Sequence, residues 1–251
     1  MGNCLSSNDA SALRDLVNRP GESTETKLTA DSIKSGLKAV ADSIRAKGNN
    51  ISIVAVGGAV NTVLLRTRQS TSDVDFFYRT KTKHEDVTQV ILAADAARKA
   101  LKLDDHWLNN HTALFVQVGV FLTTFAWEKG FTDEIINTQE GTIQRLYDEA
   151  VQQKDIVFSA PGLTVYAAPW RYALAAKLDR LSKPGARPYD LSDAVDYLAR
   201  LIEKQGGKAV KKSALKAWAT EFQFTVPTED LMNRLAAEYK KKFKKDGVVD
   251  G

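Results

Sequence analysis

The sequence has a single cysteine, so no disulfide can close within the chain, which fits a reducing compartment. Its three histidines, His84, His106 and His111, have no spacing that suggests a zinc cluster. No apolar run reaches the roughly 18–20 residues that span a bilayer, and the N-terminus lacks a signal-peptide core. No internal repeat is present. What remains is ordinary globular composition, 43% hydrophobic and 26% charged over 251 residues. A chain of that length buries a core without metals or crosslinks. The net charge is +4, and much of the excess lies in Lys240, Lys241, Lys242, Lys244 and Lys245. Such a run is a solvated helix end, where cations suit the dipole, or a weak contact for a polyanion or membrane surface.

Residues 1–28 are polar and rich in Ser, Asn and Thr, and are expected to form an arm with one short helix at 10–17. Thr29 is an N-cap candidate for a helix carrying Ile33, Leu37, Val40 and Ile44 at helical spacing and ending at Gly48. Residues 51–56 form a β-branched run, predicted to be a buried strand. Gly57-Gly58 breaks it, and 59–66 return to helical character. Residues 73–78 are predicted as a second strand, with Asp73, Asp75 and Phe77 on one face. Helices are expected at 85–101, 142–153, 169–181, 190–203, 212–222 and 228–242. Two strands, 155–159 and 163–167, flank a Pro161-Gly162 turn. The apolar stretch 114–127 has no clean assignment. The expected class is α+β: an arm over 1–28, a core over 29–181 and a helical region over 182–251.

The chemistry concentrates in two segments. A glycine pair between strand and helix lets the backbone approach a ligand. The amides opening the next helix would then suit a triphosphate. Asp73 and Asp75, two apart on a strand, point the same way. Side by side they repel unless a cation lies between them, which favours a hard divalent ion. Taken singly, a GG is a turn and an Asp-x-Asp is a strand end. In the order strand, GG, helix, strand, Asp-x-Asp they suggest phosphoryl or nucleotidyl transfer.

That order, Val56-Gly57-Gly58 followed by Asp73-Val74-Asp75-Phe76, resembles the nucleotidyltransferase superfamily, which shares the fold of the DNA polymerase β catalytic part. The 14-residue spacer, 59–72, is slightly long for it. Arg68 and Thr71 match a subgroup that includes abortive-infection-type and uncharacterised fungal and bacterial relatives. Trp107-Leu108-Asn109, Lys177-Leu178 and Arg187-Pro188-Tyr189-Asp190-Leu191-Ser192-Asp193 extend the likeness over roughly 50–200. The resemblance implies a small mixed sheet flanked by helices, with nucleotide contacts from Gly57, Gly58, Arg68, Thr71, Lys177 and Asp190. Lys177 as a snorkelling helix residue and Asp190 as a helix cap remain the plain alternatives. Active members usually carry a third carboxylate on a neighbouring strand. Asp155 is the candidate, and a surface strand end is the alternative. With Asp73, Asp75 and Asp155 binding Mg²⁺ or Mn²⁺, the implied reaction moves an NMP from an NTP to a hydroxyl of a protein, nucleic acid or small molecule. The alternative is an inactive nucleotide-binding protein on the same fold.

The first residues add one more expectation. Gly2 with Ser6 fits an N-myristoylation acceptor, and Cys4 is placed for a second acyl chain. One chain alone holds a protein marginally at a membrane. The expected location is therefore cytoplasmic, at a membrane's cytoplasmic face where both chains are present.

Overall fold

A computed structural model describes residues 27–79, 82–110 and 133–250. The N-terminal arm, with Gly2 and Cys4, and the unassigned stretch 114–127 lie outside the described residues.

A two-residue strand, β1 (Leu28–Thr29), opens the chain and leads into α1 (Ala30–Ala46). Thr29 caps α1 by accepting from the Ser32 amide at 3.3 Å. Next come β2 (Ile51–Val56), a single π-helical segment (Val60–Leu65), β3 (Ser70–Thr71) and β4 (Val74–Phe77). After α2 (His84–Leu101) and β5 (Leu108–Asn109) come α3 (Asp133–Gln153), β6 (Ile156–Ala160) and β7 (Leu163–Ala167). The remainder is α4 (Trp170–Leu181), α5 (Asp190–Lys204), β8 (Val210–Lys211), α6 (Lys212–Glu221), α7 (Glu229–Phe243) and β9 (Val248–Val249).

Five strands form one mixed sheet in the order β5-β4-β2-β7-β6. The central β2 runs antiparallel to β4 and parallel to β7, and β4 runs parallel to β5. The chain is therefore α+β, with a mixed sheet flanked by helices. Alternation along the strands divides the core between the two faces. Ile53, Ala55 and Phe76 join Ile33, Leu37 and Val90 of α1 and α2. Val54 and Phe77 join Leu146 of α3 and Tyr172 of α4 on the other side. The first of these clusters continues without a break into Leu198 of α5 and Met232 and Leu235 of α7. The C-terminal helices thus share the core of the sheet-bearing part.

Two boundaries differ from the sequence reading. The helix expected at 142 begins at Asp133 and runs through Gly141, whose low helix propensity is a modest cost that a long helix absorbs. The helix expected at 59–66 is π-helical and ends at Arg66 in the left-handed region, φ +56°. The lysine run closes α7, where Lys242 pairs with buried Asp196 and Lys240 with Asp246 at 3.0 Å. Among the described residues no helix is long and apolar enough to cross a membrane.

Candidate functional site

The C-terminal end of β2 is the corner on which the functional residues converge. Gly57 leaves the strand at φ +68°, a conformation glycine adopts at no steric cost. Its carbonyl accepts from the Val60 amide at 3.2 Å and from the Tyr197 hydroxyl of α5 at 3.0 Å. Tyr197 also bonds the buried Asn61 side chain. Gly58 packs so tightly that a Cβ there would lie 2.1 Å from Thr71 Oγ1 and 3.0 Å from an Arg68 guanidinium nitrogen. A Cβ at Gly57 would lie 3.8 Å from Asp75 Oδ2. The glycine turn, Thr71, Arg68 and Asp75 are therefore neighbours, as the motif implies.

Asp75 pairs in register with Val56, which brings it to the same end of the sheet as the glycines. Burial, then the charge of Asp73, pushes its carboxyl up to about 6. A hydrogen bond from the Asn109 side chain and the charges of Arg180 and Arg187 pull the other way. Asn109 lies on β5 directly in register with Asp75, and its amide also donates to the His106 carbonyl at 3.1 Å. The residue beside the acidic pair on the neighbouring strand is thus a neutral amide.

A second layer comes from α4 and α5. Lys177 Nζ donates to Asp190 Oδ1 at 2.8 Å and to Asp193 Oδ2 at 2.7 Å. All three side chains are buried, at 7%, 0% and 1% exposure. Asp190 also accepts from the Arg187 amide at 2.8 Å. Burial would raise the Asp190 carboxyl, but Lys177 and that amide outweigh it and hold it below the usual range. Burial wins at Asp193, which is pushed up. Arg68 lies 3.6 Å from Asp193 and stacks over the Tyr189 ring at 3.8 Å. Tyr189 in turn receives a hydrogen bond from the Arg187 guanidinium at 2.9 Å.

One sequence expectation does not carry through, and a second is narrowed. Asp155 is not brought to the Asp73–Asp75 pair. It precedes β6, with β7 and β2 between it and β4, so at about 4.8 Å per strand it is roughly 14 Å away. Its carboxylate is buried and accepts from Trp170 Nε1 at 2.7 Å and Arg200 at 3.0 Å, with Lys204 at 3.2 Å. That is a structural ion cluster joining the sheet edge to α4 and α5. At the helix after the glycines, the Val60 amide that opens the π-helical segment is already bonded to the Gly57 carbonyl, which withdraws that one amide from the phosphate cradle expected there. Among the described residues no group of three or more His, Cys, Asp or Glu forms a metal cluster.

The structure gives partners to Asn109, Arg187 and Asp193, which the sequence reading held only within motifs, and adds Arg180 and Tyr197, which it did not single out. Asp193 belongs to the same motif as Asp190, and the i, i+3 spacing puts both on one helix face. Asn109 and Tyr197 depend on strand order and helix packing, which leave no local trace.

With that geometry in hand, comparison shows that the family described as "Domain of unknown function (DUF7582)" matches residues 120–246, just over half of the chain, and the chain belongs to it. The match contains Lys177, Arg187, Asp190 and Asp193, while the glycine turn and the acidic pair precede it. No curated protein and no solved structure matches.

Proposed function

We propose that the chain binds a nucleoside triphosphate with one divalent cation, Mg²⁺ or Mn²⁺, at a nucleotidyltransferase-like corner, and that nucleotidyl transfer there is slow or absent. Support for the fold comes from an antiparallel β2–β4 pair carrying the glycine turn and Asp-x-Asp at one end, with β5 parallel beside β4. Support for a cation comes from Asp75, whose half-buried carboxyl is raised to about 6 with Asp73 beside it. The carboxylates of Asp73 and Asp75 are hard oxygen donors suited to Mg²⁺.

The observation that carries the weak-transfer part is Asn109. A two-ion reaction needs a further carboxylate next to the pair, so that one ion activates the acceptor hydroxyl while the other clamps the triphosphate. The position in register with Asp75 on the adjacent strand offers a neutral amide instead. Asp155 is committed elsewhere in the sheet.

The test is thermal denaturation with ATP, GTP, CTP and UTP, with and without Mg²⁺ or Mn²⁺. Ligand at about 100 times Kd stabilises by about 2.7 kcal/mol, several degrees for a chain of this size. A melting curve unmoved by every nucleotide–metal pair refutes the reading. The transferase itself is the second reading, favoured by the intact Asp73–Asp75 pair. Incorporation of labelled nucleotide into a protein, nucleic acid or small-molecule acceptor by the wild type would establish it. Incorporation gained only in Asn109→Asp would instead establish the amide as the missing carboxylate.

A further inference from the structure

We propose that Arg180 and Arg187, rather than Lys177 and Arg68, are the cations that grip the phosphates of the bound nucleotide. The inference rests on the nucleotide-binding reading and assigns the anion side of that site.

Lys177 is unsuited to a ligand. Two of the three donors of its ammonium are engaged by buried carboxylates at 2.8 and 2.7 Å. Turning it toward a phosphate would strand both of them. Arg68 is also held, flat over Tyr189 and close to Asp193, with its side chain 16% exposed. The two residues that the motif singles out act as counter-ions for Asp190 and Asp193.

Arg180 and Arg187 are not neutralised by buried carboxylates in this way. Both are exposed. Arg180 lies three residues beyond Lys177 in the last turn of α4, hence on the same face. Its charge is felt by Asp75 and Asp190. Arg187 stands in the connection before α5, anchored through its amide to Asp190 and through its guanidinium to the Tyr189 hydroxyl. Its charge is felt by Asp73 as well as Asp75. Two solvent-facing guanidiniums are thus near enough for their charges to act on the acidic pair. A metal ion neutralises the carboxylates, and the arginines then take the remaining phosphate charge. The planar fork of arginine is suited to phosphate oxygens.

The experiment measures binding of MgATP, and of tripolyphosphate without metal, to the full chain by titration calorimetry. The comparison is wild type, Arg180→Ala/Arg187→Ala and Arg180→Lys/Arg187→Lys. The alanine pair should lose about tenfold in affinity per guanidinium, about a hundredfold in all, for both probes. Its melting temperature should not change, and the lysine pair should recover part of the loss. Unchanged affinities in the alanine pair overturn the inference while leaving the nucleotide reading intact. Arginine-dependent tripolyphosphate binding without any MgATP binding does the reverse. A wild type that binds neither probe overturns both.

Discussion

Replacing Lys177 by methionine separates a structural role from a ligand-binding one. Methionine keeps most of the side-chain length and removes the charge, leaving Asp190 and Asp193 buried at 0% and 1% exposure. Breaking a buried pair from one side costs about 3–5 kcal/mol, because the remaining charge is uncompensated. Here the lower end applies. Asp190 keeps the Arg187 amide at 2.8 Å, and Asp193 keeps Arg68 at 3.6 Å. A loss of about 3 kcal/mol corresponds to a fall in Tm of about 6–12 °C for a chain this long. The sign of the pH dependence follows. Without Lys177 both carboxyls titrate higher in the folded state than in the unfolded chain. The folded state therefore takes up protons first, and the deficit shrinks as pH falls from 7 toward 5. Adding Asp190→Asn and Asp193→Asn should restore most of the stability, since neutral amides need no counter-ion. Circular-dichroism melts without nucleotide, at both pH values, decide the matter. A single variant melting within about 2 °C of wild type, or losing more stability on acidification, refutes the reasoning.

Three other substitutions have distinct signatures. Asp75 titrates near 6 because of burial and Asp73, so the apo protein should gain stability from this group as pH falls through 6 toward 4; Asp75→Asn should remove that gain, raise apo stability at pH 7 by up to about 3 kcal/mol and abolish metal-dependent nucleotide binding, all readable in one series of melts. Gly58→Ala would set a methyl 2.1 Å from Thr71 Oγ1, so it should cost about 1–3 kcal/mol and weaken triphosphate binding, whereas an Ala variant as stable as wild type would mean the turn has more room than its geometry allows. Asp155→Ala should lower Tm, by about 1–3 kcal/mol of stability, chiefly by stranding the buried Trp170 indole N–H while Arg200 keeps Glu203; nucleotide affinity measured well below that Tm should stay at wild-type level, and a selective loss of affinity would return Asp155 to the site.

The parts of the fold legible in the sequence are those whose signal is local. The β-branched run Ile51–Val56, the Thr29 cap and the hairpin around Gly162 needed nothing beyond neighbouring residues, and each formed as expected. The site was legible only as far as its motifs were contiguous in sequence. Gly58, Thr71, Arg68 and Asp75 do converge, but their roles depend on what packs around them. Asp155 and Asn109 illustrate the difference. Both stand at the top of a strand on the same sheet, and a carboxylate at a strand head is the natural candidate for a metal ligand. What decides is strand order, which puts β5 beside β4 and β6 at the far edge. β5 has two residues, too few for any period to show, so the sequence could not announce that Asn109 would face Asp75. The same logic governs the cations. A lysine in a helix beside two downstream aspartates fits a phosphate ligand and a buried ion pair equally well. Only the packing of α4 against α5, which buries Asp190 and Asp193 around Lys177 and leaves Arg180 and Arg187 toward solvent, separates the two. The functional charge of this corner is therefore set by which side chains the helical region has already neutralised, and the exposed arginines are what it leaves for a ligand.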